Sequence, residues 1–191
     1  MDQEKIQQLE EEIKNLHYNA KNIISKFSFK EFWDIHIVPV IKYSKQMSEK
    51  YGADLESVWL GAILHDIARI TGEDPHDEIG SEKAYKLLLE KGFGEEVAQK
   101  VKGIILTHRC KQYLPETLEQ KIIASADAMA HFLPPFYLWV GIYTNKTFAE
   151  ALESNMKKIE RDYNDKIFFE EEKEAVREEY EVLKKWFEFK V

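Results

Sequence analysis

Residues 62–70 read AILHDIARI, a run whose aliphatic side chains suit a helix on its way into a core. At its centre stand His65 and Asp66. A lone carboxylate in apolar surroundings either costs several kcal/mol or shifts its pKa until it is neutral. Such a pair needs something that offsets its charge, and a bound cation is a strong candidate.

The run sits in a chain that is helical almost throughout. Ile6, Leu9, Ile13, Leu16 and Ile24 mark an amphipathic helix over 3–25. A second segment spans 29–51; Pro39 inside it predicts a start near Asp34 as N-cap, and Gly52 is a C-terminal stop. The quoted run belongs to a third helix, 55–70, followed by the loop TGEDPHDEIG. Further helices are expected over 79–91, 95–109, 118–132, 147–162 and 170–189. The Pro134–Pro135 pair breaks the chain, and FYLWVGIY after it reads as a short helix or a loop over a pocket. Strand signals are almost absent, so the fold class is all-α, a single-domain helical bundle.

Composition narrows the function. The 191 residues are 44% hydrophobic and 32% charged, with a net charge of -8. An acidic chain is a poor binder of nucleic-acid polymers or anionic membranes, which need clustered Lys and Arg. A small anionic substrate stays open, because a bound divalent ion inverts the local field. A single cysteine, Cys110, excludes an intramolecular disulfide and suits a reducing cytoplasm. The charged start MDQEKIQQLEEEIKNL is no signal peptide, and no apolar run approaches the roughly 20 residues of a membrane span.

Asp66 and Asp127 both fall in apolar helical contexts, GAILHDIA and IIASADAMA. Imidazole with carboxylate suits Mn, Fe, Co, Ni or Zn, and the oxygen ligands admit Mg. The order His36, His65–Asp66, Asp127 resembles the H…HD…D signature of the HD superfamily of metal-dependent phosphohydrolases. DLESVWLGAILHDIAR looks like that family's apolar helix ending in HD, and HDEIGSEKAYKLLLEKGF, VKGIILTHR and KIIASADAM follow in its order. The tail IFFEEEKEAVREEYEVLKKWFEFKV is similar to the closing helix of small stand-alone members. The resemblance leaves residues 1–28 as a helix packing on the bundle or at a dimer interface, and 29–191 as the HD domain with its C-terminal helices.

The resemblance implies that His36, His65, Asp66 and Asp127 bind one divalent metal. His76 and His108 match positions that hold a second metal in some members, bridged through Asp66; in others they face the substrate phosphate or the attacking water. One or two ions per site are therefore expected. Such an ion lowers the pKa of bound water from about 15.7 towards 7 and polarises a phosphoryl oxygen. Arg69 is placed to reach an anionic group, and Lys158 and Arg161 are further candidates for substrate phosphates.

His131, four residues after Asp127, reads as support for the site or as a surface residue. His17, on a charged helix, reads as exposed. Phe132, Phe136, Tyr137, Trp139 and Tyr143 read first as core or interface, with base stacking the alternative. Cys110 is given no role. The expected function is hydrolysis of a nucleotide or similar small phosphorylated metabolite, by a protein that is cytoplasmic, free of membrane and nucleic-acid partners, and a candidate homodimer. The competing readings are a catalytically silent HD module that binds nucleotide or metal and acts through partner contacts, and a purely structural bundle.

Overall fold

In the computed structural model of the chain, residues 1–20 and 29–189 are described. Two helices form the centre. In α4 (Leu55–Leu64) every residue from Ser57 onward is buried, and in α7 (Leu118–Ala130) the same holds from Ile122 onward. A helix apolar on all sides has to be enclosed by others. The enclosing helices are α3 (Val38–Tyr51), which packs on both, and α6 (Glu95–Thr107), which also touches both and pairs with α5 (His76–Glu90). No strand occurs among the described residues, so the all-α expectation holds.

The first helix, α1 (Gln3–Asn19), buries Ile6, Leu9 and Ile13 and packs on α4. It is pinned there by the Trp59 indole, which donates to Glu10 at 2.6 Å, and by Lys5, which donates to the Gly92 carbonyl at 2.7 Å. The expected exposed His17 is instead 1% exposed. Its ring lies 5.2 Å from Trp33 and 6.1 Å from Phe32, so the polar flanks that suggested a solvated face misled. Ile24 and the Tyr143 side chain lie outside the described residues.

Elsewhere the elements differ from the periodic reading where the backbone leaves regular helix. Asp34 does not start a helix. After α2 (Phe29–Phe32) the chain widens into a π-helical turn, Trp33–Ile37, in which the Val38 amide donates to Trp33 five residues back. Pro39 has no N–H to continue the ordinary ladder and its ring crowds the preceding turn, which the wider turn accommodates. Residues 55–70 are likewise not one helix. The α-helix stops at Leu64, Asp66 takes φ -110° and ψ 19°, and Ile67–Thr71 is a tighter 3-10 turn.

The proline-broken aromatic stretch is a helix, α8 (Pro134–Tyr143). Thr147 caps α9 (Phe148–Arg161) in a capping box with Glu150, and a second π-helical turn, Asp162–Lys166, follows. The last segment is interrupted at Val176 between α10 (Glu170–Ala175) and α11 (Arg177–Phe187).

Gly61 lets α4 approach α6. A Cβ there would lie 2.8 Å from the Ile104 side-chain methyl, and Ile104 is buried and stiff at χ1. Gly61→Ala should therefore lower stability by about 1–3 kcal/mol, read by urea unfolding; an unchanged midpoint would show that the helices separate freely.

Burial, against the partial opposition of Asp66, holds His17 at about 4 instead of 6.5. The neutral ring is the folded form, so its contribution is complete above pH 6.5 and is lost as pH falls towards 4. His17→Phe should shrink the acid-side loss of unfolding free energy by about 3 kcal/mol. The check is stability measured across that pH range; a parallel pair of curves would contradict it.

Candidate functional site

Three helices end at one place, each on a histidine. His65 follows the last residue of α4, His108 that of α6, and His131 that of α7. His65 Nδ1 donates to the Ala62 carbonyl at 2.9 Å, and His108 Nδ1 donates to the Ile105 carbonyl at 2.6 Å. Each bond uses a helix-end carbonyl that has no partner further along. Each also fixes which way the ring faces, with Nδ1 turned to the helix and Nε2 pointing inward. The partial negative ends of three helix dipoles thus meet where those nitrogens point, which favours a cation.

The remaining groups come from the π-helical turn and from α7. His36 Nε2 lies 3.2 Å from His65 Nε2 and 3.2 Å from Asp127 Oδ1. Asp66 Oδ2 stands 3.7 Å from both imidazole nitrogens, and His65 Nε2 is 3.9 Å from Asp127 Oδ1. Four buried donors therefore cluster here, with His36 and His65 each within 3.9 Å of both carboxylates. Donors bound to one ion at roughly 2.0–2.2 Å sit roughly 3–3.6 Å apart, so the set fits a divalent metal with slight contraction. The second oxygen of Asp66 faces elsewhere, 3.3 Å from His76 Nε2 and 3.8 Å from His108 Nε2. Three overlapping groups can hold a metal: His36, His65 and Asp66; Asp66, His76 and His108; and His36, Asp127 and His131.

Each central carboxylate has its own cation. Burial alone pushes Asp66 up, but the Arg69 guanidinium, 2.9 Å away, and the imidazoles of His65, His76 and His108 hold it well below the usual carboxylate range. Asp127 is held low in the same way, chiefly by Lys166, whose buried ammonium donates to it, and by His131. Burial depresses His36, and it carries His108 and His131 down to about 3. Burial thus favours the uncharged form of these three rings, which offers a lone pair.

Behind Asp127 lies a network that periodicity did not reveal. Asp162 is fully buried and accepts from His131 Nδ1 at 2.9 Å, Lys158 at 2.8 Å and Arg161 at 3.2 Å, with Lys166 at 4.0 Å. His131 is buried and stacks on His36 with ring centroids 4.9 Å apart, so the surface alternative for it is wrong. The residues 158, 162 and 166 recur every four positions, a signal that was available but resembled an ordinary solvated face. Asp77 and Arg109 were also passed over; they pair at 2.8 Å beside His108.

All nine residues singled out as candidates meet in or beside one cavity of about 530 Å³. His36, Asp66, His76, His108 and Asp127 line it, with Arg69, Lys158 and Arg161, while His65 lies fully buried behind them. Phe32, Phe136, Trp139 and Val140 form its apolar wall. The chain has four arginines, and three of them line this cavity.

A family model for the HD domain matches residues 33–131, just over half of the chain. The chain belongs to the HD domain family. It is 33% identical over 106 residues to an uncharacterized protein of Methanocaldococcus jannaschii, a match covering 48% of this chain and 62% of that one. The chain thus spans less than two thirds of that relative. Among solved structures it is similar to Bacillus subtilis YpgQ, with TM-score 0.70 and 18% identity over 96% of this chain and 92% of that one. YpgQ in complex with ADP matches with TM-score 0.68 and 18% identity, covering 96% and 91%. A predicted HD superfamily hydrolase from an uncultured Thermotogales bacterium matches with TM-score 0.58 and 24% identity, covering 92% and 87%. No described helix is long and apolar enough to cross a membrane.

Lys166→Met would leave Asp127 without its ammonium partner in the interior of this HD domain. The expected cost is about 3–5 kcal/mol, read as a lowered urea midpoint. A loss under about 1 kcal/mol would mean that the ammonium is not what compensates Asp127.

Proposed function

We propose that this HD domain is a metal-dependent phosphohydrolase acting on a nucleotide or a similarly small phosphorylated compound. The observation that carries the reading is the pair His36 and His65, each 3.2–3.9 Å from a carboxylate oxygen of both Asp66 and Asp127, on the floor of a cation-lined cavity. His36, His65, Asp66 and Asp127 would hold one divalent ion, of the Mn, Fe, Co, Ni, Zn or Mg class by donor chemistry. A bound ion of this kind supplies Lewis acidity, making a water more acidic and drawing charge from a phosphoryl oxygen.

The chain's own groups then have distinct tasks. His108 commits its Nδ1–H to a hydrogen bond with the Ile105 carbonyl, so its Nε2 is left to accept a proton or bind a cation. His76 shares that position beside the second oxygen of Asp66. Together they offer either a second metal position or a place to orient the attacking water. Arg69 binds Asp66 through Nε alone, which leaves its terminal amino groups for a phosphoryl oxygen. Lys158 and Arg161 add charge from α9. The wall of Phe32, Phe136 and Trp139 is suited to a planar base and keeps bulk water from the reacting group. The ADP complex of YpgQ, a protein of the same fold, supports the nucleotide form of the reading.

The test is metal analysis of the purified protein with a hydrolysis screen. The screen covers nucleoside mono-, di- and triphosphates, dinucleoside polyphosphates and cyclic dinucleotides, with Mn, Co, Ni or Mg supplied. Wild type should bind stoichiometric metal and turn over at least one of these compounds. Asp66→Ala should retain no metal and lose on the order of 10³-fold or more of the turnover. Metal-free wild type that hydrolyses nothing would refute the proposal.

A further inference from the structure

The cavity carries more positive charge than its central carboxylates require. Lys158, Arg161 and Lys166 all draw on Asp162, at 2.8, 3.2 and 4.0 Å, and only Lys166 has Asp127 as well. The Arg161 Nε is buried without a hydrogen-bond partner. Lys111 lines the same cavity and forms no ion pair with a described carboxylate. Arg109, also in the lining, is fixed from behind by Asp77 at 2.8 Å and stands 3.5 Å from the exposed Asp74.

These cations line one cavity from two places in the fold, Arg109 and Lys111 from the turn after α6 and Arg161 from the end of α9. Burial first, then Arg109 and Arg161, draws the Lys111 ammonium below its ordinary pKa, in keeping with that shared lining. The turn that carries two of them is strained: Cys110, between Arg109 and Lys111, takes φ 49°, a left-handed conformation rare for any residue but glycine. Gathered like charges and a strained turn both cost free energy, and such strain persists at ligand clamps when surrounding contacts enforce it. An anion placed among the three would offset the repulsion with charge-assisted hydrogen bonds.

We propose that Arg109, Lys111 and Arg161 form a second anion subsite, which holds a phosphate other than the one at the histidine–aspartate cluster. The substrate then carries at least two phosphates, as a nucleoside di- or triphosphate does. This rests on the phosphohydrolase reading above. It adds that Arg109 and Lys111 select for the additional phosphate while the cluster handles the reacting one.

Binding distinguishes the two levels without turnover. AMP and the methylene-bridged analogue of ADP are titrated calorimetrically into the metal-supplemented full chain, as wild type, Lys111→Met and Arg161→Gln. Arg161→Lys keeps the charge in case the glutamine variant folds poorly, and Lys111, exposed at the mouth, is replaceable without loss of core. Wild type should prefer the diphosphate at least ~10-fold. Lys111→Met and Arg161→Gln should each lower that preference several-fold, with AMP affinity shifting less, and Arg161→Lys should fall between. Equal wild-type affinities, or a preference that neither Lys111→Met nor Arg161→Gln reduces, would overturn the second subsite while leaving the phosphohydrolase reading standing. Failure of wild type to bind either nucleotide would overturn the second subsite, and the phosphohydrolase reading would then be decided by the hydrolysis screen above.

Discussion

Three carboxylates, Asp66, Asp127 and Asp162, are buried in the middle of an otherwise apolar bundle, and the rest of the arrangement follows from that constraint. An uncompensated carboxylate there would be protonated or would unfold the domain. Each has a counter-charge delivered from a different helix or turn: Arg69 for Asp66, Lys166 for Asp127, and Lys158 with Arg161 for Asp162. Buried ion pairs of this kind rarely gain much stability over an apolar core. Their presence is better explained by what they hold in place, a set of ligand lone pairs beside a cavity.

Helix termini do the positioning. Because α4, α6 and α7 each stop on a histidine, the imidazoles project from rigid rods whose other residues are locked in the core. Gly61 brings α4 against α6 closely enough for His65 and His108 to share one space, with ring centroids 5.3 Å apart. Packing far from the chemistry therefore sets the distance between ligands, and the backbone bonds to Ala62 and Ile105 set their orientation.

Much of this was legible in the sequence. The apolar periods of α4 and α7 announced enclosed helices, and the order His36, His65–Asp66, Asp127 pointed to the family that the chain belongs to. What periodicity could not convey was departure from the regular helix. The π-helical turns at 33–37 and 162–166 and the 3-10 turn after Asp66 leave composition almost unchanged, since they arise from proline sterics and tertiary packing. His17 and Lys166 were missed for a related reason. A polar residue inside a charged segment looks solvated until the neighbouring helix is known, and Lys166 meets Asp127 across 39 positions of chain.

The π-helical turn at Trp33–Ile37 has an evolutionary corollary. Such a turn accommodates one residue more than an α-helix would over the same rise. Deleting a single residue between α2 and Pro39 would let the segment close into regular helix and swing His36 by roughly 100° about the axis, away from Asp127. Trp33, His36 and Ile37 are buried, so substitutions can accumulate only at exposed positions such as Asp34 and Val38. Length is a constraint of its own, and related chains should vary at those exposed positions long before they vary in the number of residues.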